Sequence, residues 1–254
     1  MTETDKKISD MHSGYWHPTA PVLLKDVWTL AITYKADPEV IRRWLPPELE
    51  PHPDGRVEMT MYSIPDPNQT SGFGAFSLTY MTLEVAGLDG YSAEGAGKIP
   101  GRYWATYWNS SHRVRTYARE SVGIPARPGA CFWTRDGDRL TSRLEIDGVT
   151  AIELKADVTD EHAATVGGLL NYYTRRIIPS LDGAGDTVNE LVHVPIPFVV
   201  EAYKATPVSL DFLFPPDDHV AELRPIGPVS EAELLYGKVT FTYSQARRIR
   251  NYLT

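Results

Sequence analysis

The chain has 254 residues, 42% of them hydrophobic, and its 33 acidic against 25 basic side chains give a formal net charge of −8. That apolar share is enough for a packed core and speaks against wholesale disorder, while the negative charge disfavours nucleic acid or an anionic membrane surface as a partner. A single cysteine, Cys131, excludes an internal disulfide and a cysteine-cluster metal site, and its apolar surroundings mark it as a small core residue. The seven histidines show no HxH or HxxxH spacing, so no metal site is expected. The chain carries no GxSxG elbow, no phosphate-binding glycine loop and no dinucleotide fingerprint, and no cofactor is implied. No apolar run is long enough to span a membrane, and the first residues, MTETDKKISDMHSG, lack the apolar centre of a secretory signal. The expectation is a cytoplasmic globular protein.

Residues 1–14 are polar and expected to be flexible, followed by a single domain over residues 15–254. Residues 24–34 (LKDVWTLAITY) are β-branched and aromatic and read as a strand. Asp37 and Pro38 then supply the N-cap and first position of a short helix over residues 39–44, stopped by Pro46 and Pro47. Residues 57–64 and 75–85 alternate as strands on either side of a turn-rich segment. The glycine-rich interval 87–100 has no apolar periodicity and reads as a loop, a candidate lid over a pocket. The central stretch, residues 101–129 (GRYWATYWNSSHRVRTYARESVGIPARPG), opens with an alternating aromatic strand and a polar turn. Residues 114–122 then read as strand or short helix. Breaks at Asp136-Gly137-Asp138 and Asp147-Gly148 read as hairpin turns. Residues 191–205, 208–214 and 238–243 read as strands, 215–228 as a loop, and the segment with Arg247, Arg248 and Arg250 as a short terminal helix. Many short strands with turn signals and few helices predict an α+β, mostly antiparallel fold.

Four collinear segments carry a resemblance. LPPELE, TSGFG, ARESVGIP and RRIIPSLDG are similar to the segments that mark the acetoacetate decarboxylase family. The resemblance runs from about residue 20 to the end of the chain and implies a cone-shaped β-barrel with a few flanking helices and an internal pocket. In that family a proline precedes two lysines; the first forms a Schiff base with the keto acid and the second lowers its pKa. Here Pro125 is followed by Ala126 and Arg127. Alanine has no amine, and arginine stays protonated and is no replacement nucleophile. By the same resemblance, the family's carboxylate-binding arginine matches Val27, and its two acidic residues match Thr60 and Leu78. Charged groups replaced by Val, Thr, Leu and Ala leave a larger and more apolar pocket, suited to a bulky hydrophobic ligand.

Strand parity nominates the remaining polar groups. With Thr60 inward, Glu58 and Tyr62 share its face; with Leu78 inward, so do Tyr80, Thr82 and Glu84. Glu58 and Glu84 are candidate acid–base groups, though carboxylates near strand ends are more often solvated at a rim. Tyr103 and Tyr107 are candidate pocket residues, and Tyr243 a candidate hydrogen-bond donor, since some family members with aldol or dehydration chemistry use a C-terminal tyrosine. Arg127 is a candidate to stabilise an enolate or bind a carboxylate, with an ion pair to Glu120 or another acid as the alternative. His112, among arginines after a polar turn, reads as exposed. Lys98, Lys155, Lys204 and Lys238 are alternative amines, and burial of an ammonium is costly.

These readings point to a non-decarboxylating enzyme that promotes cyclisation, dehydration or isomerisation of a hydrophobic, polyketide-like intermediate of secondary metabolism. Catalysis would rest on an apolar pocket without imine formation. A non-catalytic small-molecule binding protein and a decarboxylase or aldolase with a relocated lysine are the alternatives. The expected partner is a small hydrophobic ligand, and the Trp- and Arg-rich surfaces leave a homo-oligomer open.

Overall fold

The computed structural model describes residues 22–93, 97–242 and 244–253. The expected flexible start of the chain, the start of the domain, and Tyr243 lie outside the described residues. Among these described residues there are eleven strands: β1 Val22–Lys35, β2 Arg56–Ile64, β3 Phe76–Ser92, β4 Lys98–Asn109, β5 Ala126–Pro128, β6 Ala130–Asp136, β7 Arg139–Ile146, β8 Val149–Pro179, β9 Asp186–Phe212, β10 Glu233–Thr242 and β11 Arg247–Asn251. Among the described residues two short α-helices accompany them, α1 Pro38–Trp44 and α2 His112–Tyr117. No helix among the described residues is long and apolar enough to cross a membrane.

The strands form one sheet in the order β11-β9-β10-β1-β2-β3-β4-β8-β7-β6, with β5 beside β4. The ladders are antiparallel except for β4 with β5 and a short β4–β8 pairing. β8 also pairs with β9 along most of its length. Ladders therefore lead from β9 through β10, β1, β2, β3 and β4 to β8 and back to β9.

The principal core lies on the outer face of this run. Leu30, Ile32, Met59, Met61, Met81 and Leu83 are fully buried. They pack against Ile41 of α1 and Leu144, Ile152 and Leu154 of the β7–β8 hairpin. Each such side chain contributes roughly 1.5–3 kcal/mol by leaving water. Because helix α1 and the β6–β8 layer seal the outer face, residues 57–62 of β2 are buried on both sides, and the inner face is left to line an interior space. The α1 cap is as the sequence predicts: the Asp37 side chain accepts from the Glu39 amide at 2.9 Å and Pro38 opens the helix.

Three segments differ from the sequence reading. The glycine-rich interval is strand rather than loop over most of its described residues: β3 and β4 pair there, Gly90 opposite Ile99 and Tyr91 opposite Lys98. Its glycines serve close backbone approach, because a Cβ at Gly90 would stand 1.9 Å from the Leu169 carbonyl oxygen, and one at Gly168 would stand 2.0 Å from that of Tyr91. Second, residues 191–205 and 208–214 belong largely to one strand, β9, which β8 accompanies through several register irregularities. Third, the terminal arginines form strand β11 rather than a helix, paired with residues 190–193 of β9. The free edge of β9 supplies hydrogen bonds there that outweigh local helical preference.

One side-chain contact pins β11. Arg247 Nε donates to His193 Nδ1 at 3.2 Å, and His193 Nε2 lies 2.9 Å from Asn171 Oδ1. Nδ1 must accept, so the ring is neutral; burial first and the Arg247 guanidinium second hold its pKa below the ordinary value. A depressed histidine contributes stability that is complete above its unfolded pKa of about 6.5 and is lost as pH falls through the folded value. Urea denaturation at pH 7.5 and pH 5 is expected to show a larger loss of stability for the wild type than for His193→Gln, which keeps one donor and one acceptor. Equal losses would remove this role from His193.

Candidate functional site

The inner face is built by register. Across β2 and β3, Tyr62 stands opposite Leu78, Thr60 opposite Tyr80 and Glu58 opposite Thr82. Across β3 and β4, Tyr80 stands opposite Tyr107, Thr82 opposite Trp104 and Glu84 opposite Arg102. Three adjoining spaces follow this ladder. The first is walled by apolar and aromatic groups, among them Phe76, Leu78, Tyr107, Val122 and Ile124. The second carries Thr29, Glu58, Thr60 and Arg102 on one side and Leu170 and Val200 on the other. Tyr62, Tyr80 and Tyr172 border both. The third space shares Glu58 and Arg102 with the second and adds Arg56, Glu84, Lys98 and Glu233.

The segment after β4 covers the first space. Ser111 caps α2 through the Val114 amide, and a wide turn over residues 118–122 carries Ala118 and Val122 to the wall. Gly123 ends it with a φ of 81°, a conformation that disfavours a side chain, and a Cβ there would meet that of Arg176 at 2.5 Å.

The tyrosines form a hydroxyl cluster between the first two spaces. Tyr80 Oη lies 3.2 Å from Tyr172 Oη and 3.5 Å from Tyr62 Oη. The Tyr80 ring stacks on Tyr107, and Tyr172 stacks on Trp104 with centroids 4.3 Å apart, which fixes the direction of each hydroxyl. Burial raises the pKa of all three phenols, so they remain protonated donors at neutral pH.

Beside them lies a buried ion pair. Arg102 holds Glu58 with both terminal nitrogens, at 2.7 Å to Oε1 and 2.6 Å to Oε2, with side chains 12% and 10% exposed. Thr60 Oγ1 adds a weaker contact to Glu58 Oε1 at 3.4 Å. Burial pushes the Glu58 carboxyl above its ordinary pKa against the pull of Arg102, while its charge holds the guanidinium protonated. Towards the outer space, Arg56 Nε pairs with Glu84 at 2.7 Å and its Nη1 with Glu233 at 2.9 Å.

The nominated residues therefore divide. Glu58, Thr60 and Tyr62 share the inner face, as do Leu78, Tyr80 and Glu84. Glu58 and Glu84 are not solvated rim groups: both are buried and held by arginines. Tyr107 lines the first space; Tyr103 does not, and packs against the outer core, where burial raises its phenol to about 12. Ala126 pairs with Tyr107 and is buried in the inner cluster beside the first space. Val27 is fully buried in the same cluster, opposite Val239. Arg127 is the clear correction. It is exposed and borders a separate depression with Trp108, Asp147 and Asp218, because neighbouring strand residues point to opposite faces. His112 is exposed and Cys131 buried, as expected.

Arg102 and Tyr172 were not legible as site residues. For Arg102 the signal was hidden by a β-bulge: Met81 faces Thr106 but Thr82 faces Trp104, which leaves Ala105 as an extra residue in β4. Simple alternation places Tyr103 and Tyr107 on one face; the bulge sends Tyr107, Trp104 and Arg102 inward and Tyr103 outward. No lysine lines the first two spaces among the described residues. Lys98 borders the third but is 81% exposed, Lys155 and Lys204 pair with Glu153 and Glu161, and Lys238 lies over the Trp28 ring.

Removing one partner of a buried pair leaves the other charge uncompensated, at a cost of about 3–5 kcal/mol. Arg102→Met is expected to lose that much stability in urea denaturation, and Glu58→Leu combined with it to regain most of the loss. A single-variant cost under about 1 kcal/mol, the range of exposed pairs, would contradict the burial of this pair.

No curated protein matches the chain in sequence. A solved acetoacetate decarboxylase is similar to it at 19% identity over 100% of both chains, with a TM-score of 0.79. The acetoacetate decarboxylase of Legionella pneumophila is 18% identical over 94% of this chain and 92% of its own, with a TM-score of 0.75. The enduracididine biosynthesis enzyme MppR, solved with pyruvate, is 18% identical over 93% of each chain, with a TM-score of 0.64. A sequence model described as acetoacetate decarboxylase matches residues 10–252. By that match, which spans nearly all of the chain, the protein belongs to the acetoacetate decarboxylase family.

Proposed function

We propose that the protein is an enzyme that uses this scaffold without decarboxylation, promoting the cyclisation, dehydration or isomerisation of a hydrophobic, polyketide-like carbonyl compound. The observation that carries this reading is the wall of the first space: apolar and aromatic, free of lysine and carboxylate among the described residues, and bordered by three protonated phenols. The return of the strand ladders from β9 to β9 supports an enclosed, barrel-like interior. An enzyme fits the family, whose solved relatives include acetoacetate decarboxylase and the biosynthetic enzyme MppR.

A flexible ketone folded inside such a space has its reacting ends held together, which is worth up to about 7–11 kcal/mol of the barrier. When an α-proton leaves a ketone, its oxygen gains negative charge, and a phenol that donates to that oxygen stabilises the enol as it forms. The enol carbon then attacks a second carbonyl, forming a carbon–carbon bond, and loss of the new hydroxyl as water completes dehydration. Each step needs proton transfer and shape, and none needs an imine.

The test compares two reactions. With acetoacetate, the purified protein is expected to release no carbon dioxide and to give no borohydride-trapped adduct in intact-mass measurements. With 1-phenylhexane-1,3,5-trione, it is expected to accelerate cyclisation over buffer, and Tyr80→Phe to slow it at least tenfold. A trapped adduct would point to a lysine mechanism. Tight trione binding with no acceleration would leave a binding protein.

A further inference from the structure

We infer that the reacting carbonyl sits in the second space, across the tyrosines from Ala126, with Glu58 as the base that takes its α-proton and Arg102 as the donor that holds its oxygen. The substrate would be a neutral ketone whose apolar remainder fills the first space. This inference rests on the enzymatic reading above and places its chemistry.

Three observations lead there. Among the described residues the first space has no ionisable side chain except phenols, whereas the second contains a carboxyl and a guanidinium, both about nine-tenths buried. Tyr62, Tyr80 and Tyr172 belong to both walls, so one ligand bordering those rings meets an apolar surface on one side and the ion pair on the other. Finally, Arg102 spends two N–H bonds on Glu58, one from each terminal nitrogen; a guanidinium has five. The remaining terminal N–H groups can donate to an oxygen in the second space.

The same pairing sets the charge preference. Glu58 already neutralises Arg102, so a ligand carboxylate would enter beside a buried carboxylate without an unpaired cation to meet it. A ketone oxygen asks only for a hydrogen bond. In the step itself the carbon–hydrogen bond breaks, its proton passes to Glu58 and its electrons form the enolate double bond. The oxygen accepts hydrogen bonds from Arg102 and from the phenol side, and both donors keep their protons; return of the proton from Glu58 to carbon, as the carbonyl double bond re-forms, restores the ketone and the carboxylate.

α-Hydrogen exchange of 2-nonanone in deuterium oxide, followed by mass spectrometry, reads this step without knowledge of the natural substrate. The wild type is expected to accelerate exchange over buffer, and Glu58→Gln, which keeps a bond to Arg102, to lower kcat for exchange at least a hundredfold, within the range of a general base. Val200→Phe, which fills the second space, is expected to abolish exchange. Val122→Phe, which fills the first, is expected to raise KM with a smaller effect on kcat. Nonanoate is expected to inhibit exchange at least tenfold more weakly than nonan-2-ol. No exchange by the wild type, full exchange by a folded Glu58→Gln, or a larger kcat loss in Val122→Phe than in Val200→Phe overturns the placement. If Glu58→Gln does not fold, the two phenylalanine variants and the inhibitor pair decide alone. Trione cyclisation that persists in Glu58→Gln would overturn this inference and leave the proposed function standing; Glu58-dependent exchange without cyclisation would do the reverse.

Discussion

The interior depends on a pair of opposite charges kept out of water. An isolated Glu58 or Arg102 at this depth would cost several kcal/mol of desolvation, and neither β2 nor β4 could present its charged side chain inward alone. Both terminal nitrogens of Arg102 on both oxygens of Glu58 make the burial tolerable. The pair spans from β2 past β3 to β4, because Glu58 faces Thr82 and Arg102 faces Glu84. A small residue at Thr82 lets the two long side chains meet above it. Such a pair adds little net stability compared with apolar packing, yet it resists any shift of β4 against β2 that would separate the charges.

That arrangement is possible because stability is supplied elsewhere. Methionines and aliphatic residues on the outer face, sealed by α1 and the β6–β8 layer, form the core that holds the sheet. An inner face relieved of this duty can carry threonines, tyrosines and an ion pair beside open space. In a sheet with one face exposed to solvent, the same polar residues would mark the outside. Here alternation separates two buried faces of different character, and the polar one carries the candidate site.

Much of this was legible in the sequence. Alternation in β2 and β3 placed Glu58 with Thr60 and Tyr62, and Leu78 with Tyr80 and Glu84, on the correct face. Parity also requires that Ala126 and Arg127 face opposite ways, so a role for Arg127 beside Ala126 was inconsistent with a strand there from the start. What alternation cannot show is an inserted residue. Ala105 looks like its neighbours in sequence, yet as the extra residue of a bulge it exchanges the faces of everything before it in β4. Nor could composition distinguish a glycine-rich loop from a hairpin whose glycines permit close approach to β8, or a terminal helix from a strand that needs an open edge on β9. These outcomes are decided by distant partners.

The tyrosine cluster connects the two halves of the interior chemically as well as spatially. A phenol buried among apolar groups cannot ionise at neutral pH, so it acts as a donor and never as a base. In the proposed enzyme the base must then be a carboxyl, and among the described residues Glu58 is the carboxyl that lines the second space with those phenols. Burial raises its proton affinity while Arg102 restrains that rise, which moves the carboxyl towards the working range of an acid–base group. An amine nucleophile at position 126 would stand beside Tyr107, in the inner cluster around the first space. With alanine there, the proposed reaction is carried instead by the carboxyl and guanidinium of the second space. In the proposed enzyme the first space orients the substrate, and the second space moves the proton.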